Sequence, residues 1–521
     1  MVTAHRHARL VIGTLSVGIF LIVWQIVGST EIVRSSFISF PTQILGAFSD
    51  LYTSGELTKN VYVSLREFVA GFAAAVVGGV AIGLLFALNR RVRYLIEPLF
   101  VAFNMAPMVA FVPVLIVVFG IGELSKSVTV FLSAVIPIAI NTTTGITQVH
   151  ESWIRALRAL GARKHEIVLK AMLPGALPAI MTGIRLGIGR GIVVLIAAEM
   201  TVSLHGIGRL IQVYSSGDNV AKIFVLVAIV AAFGFCCATV LRILEQRLAP
   251  WPGVAMSGED KRGQKRPNSL YGRNERWILG VTGAVALIGA WEFAVHQGIL
   301  NPVTFSSPSR IAMAFVDEWN SGAILADLRV SMVEFAAGFG LAFIVGVVLG
   351  VVMGLRPTAE YAIDPFVWII YSSPMIAFYP LFVIWLGFGM ATVITVTFLL
   401  TFVSIVVNVV AAVHAVDPQL VRAIKGYGGN QRDVVFKVVL PSALPLMLAG
   451  VRIGLGRAFL GVILGEMFSS NQGFGYHIAL YANQLKTANV YVSLIILIAI
   501  GWAINQLSVL LENNLLAWRR A

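Results

Sequence analysis

The sequence predicts an all-α integral membrane protein with about twelve transmembrane helices, arranged as two parallel repeats of about six. Of its 521 residues, 58% are hydrophobic and only 12% are charged, whereas a soluble domain carries about 25% charged residues. The mean hydropathy is +0.87. Apolar runs of roughly 20 residues, the length that crosses a bilayer, recur along the chain. These features argue against a soluble protein.

The chain contains an internal repeat with a constant offset. Trp24 recurs as Trp291 and Pro107 recurs as Pro374. Because 291 − 24 = 267 and 374 − 107 = 267, no insertion or deletion separates the two copies across this span. Two similar membrane units that face each other form a cleft at a pseudo-two-fold axis. The repeat therefore predicts a pathway between two halves of one chain.

Each copy holds about six candidate spans. In the first copy they lie near 10–28, 61–87, 95–119, 124–146, 176–202 and 220–244. Their partners lie 267 residues later in the second copy. Because six is an even number, both copies cross the membrane in the same orientation, and the repeat is parallel rather than inverted.

Basic residues predict the orientation of the spans and account for the net charge of +13. They cluster before the first span, in alternate loops and at the C-terminus, which is the positive-inside pattern. We therefore expect both termini to be cytoplasmic. A stretch rich in Pro, Gly, Lys and Arg at 250–276 predicts a cytoplasmic linker between a first repeat, 1–249, and a second repeat, 277–521.

The most informative loop follows the fourth span and occurs in both copies, at 151–178 and 418–445. Each copy reads as a short helix, a glycine, a second short helix and then Leu-Pro. The glycines, Gly161 and Gly428, allow the positive φ angle that reverses the chain between two helices. The proline suits the first turn of the span that follows. We therefore predict a helical hairpin at the membrane surface in each copy.

The second helix of this hairpin is amphipathic. In the first copy, Ile167, Val168 and Met172 fall at helical spacing, and Lys164 and Lys170 lie beside them. Such a hairpin either lies in the lipid interface as a passive connector or docks into a groove on a soluble partner as a lever. Its recurrence in both copies favours docking, since two identical levers suit a symmetric two-subunit motor.

The hairpin resembles the cytoplasmic motif of the permeases of binding-protein-dependent ABC importers. The matching positions are Ala156, Gly161, Leu173 and Pro174 in the first copy, and Ala423, Gly428, Leu440 and Pro441 in the second. The chain is also similar to the branch of that family that imports nitrate, taurine, aliphatic sulfonates and some vitamin precursors. That similarity rests on Trp24-Gln25, a Ser-Phe-Pro segment at 39–41, Phe-Gly-Ile-Gly at 119–122 and Ala-Glu-Met at 198–200.

The motif departs from the family pattern at its charged position. Arg155 and Arg422 stand where the family has a glutamate. A contact that the family glutamate makes with a basic residue of the ATPase is therefore absent or reversed here. We expect the matching surface of the ATPase to be adapted to these arginines.

The resemblance implies a type I importer permease fold in each repeat and a place in the bacterial cytoplasmic (inner) membrane. It implies two ABC ATPase subunits on the cytoplasmic side, which would hold ATP and Mg, and an extracytoplasmic binding protein that delivers a small solute, with an anion favoured. No cofactor and no enzymatic activity are expected in the chain itself, because the Gly-Lys dipeptide of a phosphate-cradling loop occurs nowhere. The expected surroundings are the lipid bilayer, with no nucleic-acid partner. A secondary transporter or a channel built from parallel repeats is the alternative.

Charged and polar residues inside the spans predict the lining of the pathway. A charge at mid-membrane costs about 2.5–3.5 kcal/mol, so it should face protein or water. The fifth span of each copy carries such charges, which either pair with neighbouring helices or face a cavity. Residues that diverge between the copies beside the prolines of the third span are further candidates. The predicted lining residues are Asn104, Arg190, Glu199, Tyr371, Ser372, Arg457 and Glu466.

Glycines spaced four residues apart predict close helix packing. One series is Gly183, Gly187 and Gly191, and another comprises glycines at 346, 350 and 354. Small residues at this spacing let two helices in lipid approach backbone to backbone. We therefore assign these glycines to assembly of the helices and not to the pathway.

Overall fold

The computed structural model describes residues 2–30, 39–201, 203–217, 219–248 and 270–516, except the side chains of 2–7, 270–277 and 372. The regular secondary structure of these ranges is helical. Ten helices in them are long and apolar enough to cross a membrane, or twelve if each of two bent pairs counts as one span. This confirms the predicted all-α membrane fold. The predicted linker lies outside the described residues up to 269, and a helix already begins at Leu270.

The helices of the two halves follow the same order. In the first half, α1 to α11 are Val2–Ser29, Pro41–Thr53, Glu56–Leu88, Arg90–Met105, Val112–Phe119, Glu123–Thr147, Glu151–Ala159, Lys164–Ile167, Leu173–Thr201, Ile207–Ser216 and Val220–Leu248. In the second half, α12 to α22 are Leu270–His296, Pro308–Asn320, Ala323–Leu355, Pro357–Ser372, Tyr379–Leu386, Met390–His414, Pro418–Gly426, Gln431–Asp433, Leu440–Ser469, Phe474–Asn483 and Thr487–Leu515.

Three long helices form the centre of each half. In the first half, α6 packs between α3 and α9, and in the second half α17 packs between α14 and α20. Glycines make these contacts close. A Cβ on Gly183 would lie 3.0 Å from the carbonyl oxygen of Pro137, and one on Gly350 would lie 2.7 Å from the Cβ of Val409. The predicted packing role of the glycine series is confirmed, because a larger side chain at these positions would separate the helices.

The first helix of each half packs on the opposite half. Helix α1 lies against α15, and α12 lies against α4. A Cβ on Gly13 would lie 3.4 Å from the carbonyl oxygen of Tyr361. The equivalent Gly280 would place its Cβ 3.5 Å from the carbonyl oxygen of Tyr94. The two halves therefore exchange their first helices in a symmetric way.

The third span differs from its prediction. We expected one span near 95–119 with a kink at its prolines, but α4 and the segment Met108–Phe119 meet at 98°, and the equivalent pair in the second half meets at 88°. Pro107 disfavours a helical conformation in the residue before it, and Ala106 is accordingly extended, with ψ at 139°. The 3₁₀ segments that follow, Met108–Phe111 and Met375–Phe378, are called the elbows below.

Each elbow packs against the other half. Ala110, which is fully buried in the first elbow, belongs to a cluster with Phe459 and Ile463 of the second half. Ala377 of the second elbow belongs to a cluster with Leu195 of the first half. The elbows therefore lie at the interface between the halves.

Candidate functional site

The two hairpins have the predicted turn. Helix α7 ends before Gly161, which has a φ of +78°, and α18 ends before Gly428, which has a φ of +80°. In the first hairpin the backbone N–H of Ala162 donates to the carbonyl of Leu157 at 3.0 Å. This is the six-residue bond with which a left-handed glycine closes a helix. The predicted turn is therefore confirmed, and its positive φ explains why glycine occupies both positions.

Each hairpin continues directly into the long central helix of its half. A π-helical segment, Val168–Met172, joins α8 to α9, and Val434–Val439 joins α19 to α20. The chain therefore runs without a loop from each hairpin into the helix that carries the membrane charges. Below, the hairpin side is the membrane face with the hairpins, and the far side is the face with α10 and α21.

The exposed apolar residues of the hairpins are not the ones that the helical pattern indicated. Ile167 is 5% exposed, and Met172 packs against a buried cluster of Ile146, Ala176 and Ile180, so these members of the predicted stripe face inward. Leu160 and its equivalent Tyr427 are instead 82% and 93% exposed at the hairpin tips. The sequence could have indicated these two residues, because both copies place a large apolar residue directly before the turn glycine.

A second equivalent pair extends this apolar surface. Leu169 is 63% exposed, and Phe436, which lies 267 residues later, is 68% exposed. The predicted contact residues surround these positions. Arg155, Ala156, Arg422, Ala423 and Pro441 are exposed, and Leu173, Pro174 and Leu440 are partly buried where the hairpins enter the long helices.

The structure brings two predicted lining residues of the first half, Asn104 and Arg190, together. The Nη1 of Arg190 donates a hydrogen bond of 2.8 Å to Oδ1 of Asn104, at the end of α4 just before the elbow. Arg190 is exposed, and a Cβ on the neighbouring Gly189 would meet no atom within 4 Å. Because a guanidinium in lipid is costly, this open face is expected to meet water.

The second half forms a different pair at the equivalent positions. The guanidinium of Arg457 lies over the ring of Tyr371, 4.7 Å from its centroid, which is a cation–π geometry. The side chain of Ser372 lies outside the described residues, so its lining role stays a prediction. The two halves therefore present one arginine each, held by an amide in the first half and by an aromatic ring in the second.

Both arginines mark a change in exposure along their helices. In α9, most residues on the far side of Arg190, from Gly191 to Met200, are buried, whereas Arg185 and Leu186 on the hairpin side are exposed. The same change occurs at Arg457 in α20. The interface between the halves is therefore closed on the far side and more open on the hairpin side.

Arg185 makes an ion pair on the hairpin side. Its guanidinium pairs with Glu245 of α11. The equivalent Arg452 hydrogen-bonds to Oδ1 of Asn505 at 3.0 Å on α22. These arginines tie the hairpin ends of neighbouring helices together.

Glu199 has a structural position in this conformation. It is 0% exposed; its Oε1 accepts from Ser64 at 2.5 Å and its Oε2 accepts from the N–H of Gly208 at 2.7 Å. The carboxyl group therefore satisfies an N–H in the first turn of α10 and fixes that helix to α3. Of the two alternatives left open by the sequence, the structure favours pairing with neighbouring elements, so we remove Glu199 from the predicted lining.

Glu466 repeats this arrangement in the second half. It is 0% exposed and accepts from Ser331 at 2.5 Å and from the N–H of Gly475 at 2.7 Å. It too lines no open space here, and we remove it from the predicted lining. One difference is a nearby pair absent from the first half, in which Nδ1 of His477 lies 2.6 Å from Oδ2 of Asp327. That hydrogen bond raises the pKa of His477 above its usual value.

The order of elements and the pair of repeats match one known family. The model for the inner membrane component of binding-protein-dependent transport systems matches residues 79–250 and 343–520, one segment in each half. The chain belongs to this family. Its two halves are accordingly two permease domains in one polypeptide, and the protein is a transport permease, not an enzyme.

Single permease proteins are similar to about half of the chain. The taurine transport system permease protein of Escherichia coli is 33% identical over 255 residues, which are 48% of this chain and 91% of that protein. A putative aliphatic sulfonates transport permease protein of Bacillus subtilis is 29% identical over 261 residues, 50% of this chain and 92% of that protein. The bicarbonate transport system permease protein of Synechococcus elongatus is 33% identical over 225 residues, 41% of this chain and 81% of that protein.

Proposed function

We propose that this chain forms both membrane halves of an ATP-driven importer for a small anionic solute. The observation that carries this proposal is the pair of hairpins with the same exposed apolar positions, each continuous with a long helix that carries an arginine. Two separate ABC ATPase subunits would bind the hairpins and supply ATP and Mg. A binding protein would deliver the solute on the far side. The protein would lie in the bacterial cytoplasmic membrane with both termini in the cytoplasm.

The exposed hairpin tips support docking to a soluble partner over a passive position in lipid. Leu160 and Tyr427 project from the turns, and charged residues such as Arg155 and Arg422 flank them on the preceding helices. An apolar anchor with a polar rim is the pattern of a protein interface. A helix in the lipid interface would instead present a continuous apolar face along its length, whereas the inner residues here pack against their own half.

The continuity of hairpin and long helix supports mechanical coupling. When two ATPase subunits close on ATP, the hairpins would approach each other. Because α9 and α20 follow the hairpins without a loop, their arginines would move with them. π-helical segments such as those at the junctions occur frequently at functional sites.

Two arginines at the closed level of the interface support an anionic solute. Arg190 and Arg457 are held at equivalent heights by Asn104 and Tyr371. The guanidinium group binds carboxylates and other oxyanions through several parallel N–H donors. The names of the similar permeases point the same way, since taurine and aliphatic sulfonates carry a sulfonate group and bicarbonate is an anion.

Co-purification of the tagged chain tests the docking proposal. An ABC ATPase that is retained by the wild-type chain is expressed with wild type, with the double variant Leu160→Glu/Tyr427→Glu, and with the control Leu204→Glu. Leu204 is 78% exposed on the far side, after α9. We expect the ATPase to be lost from the double variant and kept by the control. Equal recovery from all three would contradict docking at the hairpin tips.

Uptake into proteoliposomes tests the energy source and the solute class. We expect ATP-dependent uptake of taurine, ethanesulfonate or bicarbonate, and none of choline, which is a cation. Uptake that needs no ATPase and follows a proton gradient would favour a secondary transporter. Flux that needs neither would favour a channel.

A further inference from the structure

The first half contains a buried ion pair on the far side of the membrane. The Nζ of Lys126 on α6 lies 2.7 Å from Oε1 of Glu67 on α3, and the two side chains are 5% and 0% exposed. Ser64 donates to Glu199 at 2.5 Å, and Glu67 follows Ser64 by three residues on α3, so the carboxyl groups of Glu67 and Glu199 lie about one helical turn apart. Two carboxyl groups therefore share this site with one built-in ammonium group.

The second half keeps the carboxyl groups and lacks the ammonium. Glu334 and Glu466 occupy the equivalent positions and are 1% and 0% exposed. Ser331 donates to Glu466 at 2.5 Å, and Glu334 follows Ser331 by three residues on α14, which places the two carboxyl groups about one helical turn apart. The residue equivalent to Lys126 is Val393, since 126 + 267 = 393, and it is fully buried. Among the residues that the structure describes, no cationic side chain pairs with either glutamate.

The surrounding groups do not supply the missing positive charge. Asp327 on α14 lies beside this site, because it accepts from the N–H of Gly473, the residue whose Cβ would meet the carboxyl group of Glu466. Asp327 contacts His477 on α21, and Glu318 on α13 lies near both. In the first half their positions hold Asn60, Leu210 and Leu51. His477 is the one basic group among these three, and it pairs with Asp327 at 2.6 Å. The second half therefore concentrates negative charge where the first half does not.

Two ionised carboxyl groups that are buried about one helical turn apart without a cation would be strongly unfavourable. Transfer of an unpaired charge into a protein interior costs several kcal/mol, and mutual repulsion adds to that cost. The second half also has a buried oxygen without a hydrogen-bond partner, Oε2 of Glu334, as the first half has at Oε2 of Glu67. A carboxyl O–H between two such groups donates one hydrogen bond and removes one charge.

We propose that the second half binds a proton between Glu334 and Glu466, in the functional place of the ammonium of Lys126. A proton fits better than a metal ion because hard cations take six or more oxygen ligands. In the described part of the chain, no group of three or more His, Cys, Asp or Glu residues could hold a metal. The proton comes from solvent, no bond between heavy atoms changes, and the pair carries one negative charge instead of two. The far side of this half thus responds to pH, whereas the first half carries a fixed charge.

Infrared spectroscopy of the purified protein tests the proposal directly, because a protonated carboxyl group has a carbonyl stretching band that a carboxylate lacks. We expect that band near neutral pH in wild type. It should lose the intensity of about one carboxyl group in Glu334→Gln and keep it in the matched control Glu67→Gln. Val393→Lys, which gives the second half its own ammonium, should also lose it. Lys126→Met should gain intensity, since the first half then resembles the second.

Thermal unfolding provides a second readout that does not depend on transport. Between about pH 6 and about pH 9 we expect the Tm of wild type to fall by about 3 °C more than that of Glu334→Gln, because the shared proton is lost as the pH rises. If Val393→Lys does not fold, Glu334→Gln still decides the question. An infrared band equal in wild type and Glu334→Gln would overturn the proposal. So would a Tm at about pH 8 that rises with sodium chloride but not with potassium or choline chloride, which would identify a bound metal ion instead.

Discussion

Substitution of the two hairpin glycines is the most direct test of mechanical coupling. Gly161 and Gly428 have φ angles of +78° and +80°, and a Cβ at either position would meet no atom within 4 Å. A side chain there would therefore act through backbone strain and not through a clash. The left-handed conformation costs a non-glycine residue roughly 1–2 kcal/mol. With valine, the population of the native turn in each hairpin should fall by roughly a factor of 5–30 relative to competing conformations.

The chain offers a matched control for this strain. Gly55 and Gly322 are also equivalent between the halves, have φ angles of +73° and +77°, and leave the same open space around a Cβ. They precede α3 and α14 on the far side. Gly55→Val/Gly322→Val therefore imposes the same backbone cost without touching a hairpin.

The assay is the number of solute molecules imported per ATP hydrolysed in proteoliposomes that contain the chain and its ATPase, with the solute-binding protein present on the far side. We expect Gly161→Val/Gly428→Val to lower this ratio severely while the membrane helices stay folded, and the control pair to keep it. Asparagine tolerates the left-handed region, so Gly161→Asn/Gly428→Asn should lie in between. An unchanged ratio in the valine pair, or an equal loss in the control pair, would refute the assignment of the hairpins as levers.

Three further predictions concern the pathway, the packing and the pH response. Arg190→Gln should reduce uptake of an anionic solute about 10- to 100-fold, because a hydrogen bond to a charged group contributes about 1.5–3 kcal/mol. The control Arg185→Gln, which breaks a structural pair, should reduce uptake much less. Equal losses of uptake in the two variants would argue against a lining role for Arg190. Gly350→Leu should destabilise the protein by about 1–3 kcal/mol through overpacking, which a lower Tm would show. Gly340→Leu should change the Tm little, because a Cβ there would meet nothing within 4 Å. A larger fall in Tm for Gly340→Leu than for Gly350→Leu would contradict the close helix contact at Gly350. Because the pKa of His477 is raised in the folded protein, its pair with Asp327 adds stability that is complete below about pH 6.5 and is lost as the pH rises through the raised pKa. His477→Leu should remove this fall in Tm with rising pH. An unchanged dependence of Tm on pH would show that the pair does not contribute to stability.

The hairpins illustrate how far the sequence could reach. Gly161 predicted a left-handed turn, because few other residues tolerate a positive φ, and the structure has that turn. The sequence left the apolar stripe at Ile167 between lipid and a partner, whereas in the structure Ile167 is 5% exposed and faces the protein. Helical periodicity identifies an apolar face, but it does not say whether the face meets the protein's own helices or a partner.

The membrane charges show the same division. Their positions followed from the sequence, yet Arg190 was found beside Asn104 and Glu199 beside Ser64 only in the folded chain. These partners lie 86 and 135 residues apart. No local pattern records which helix faces which across such a separation.

The sequence by itself determined the membrane class, the exact repeat and the turns of the hairpins. It could do so because a bilayer forces each span to satisfy its own backbone within a continuous apolar segment, and because a turn depends on a few adjacent residues. The tertiary structure decided the bend at Pro107, the exchange of first helices, and the contrast between Lys126 and Val393 beside their buried glutamates. Those features depend on contacts between distant segments, where the free energy of a buried charge is set by whatever neighbour the fold brings to it.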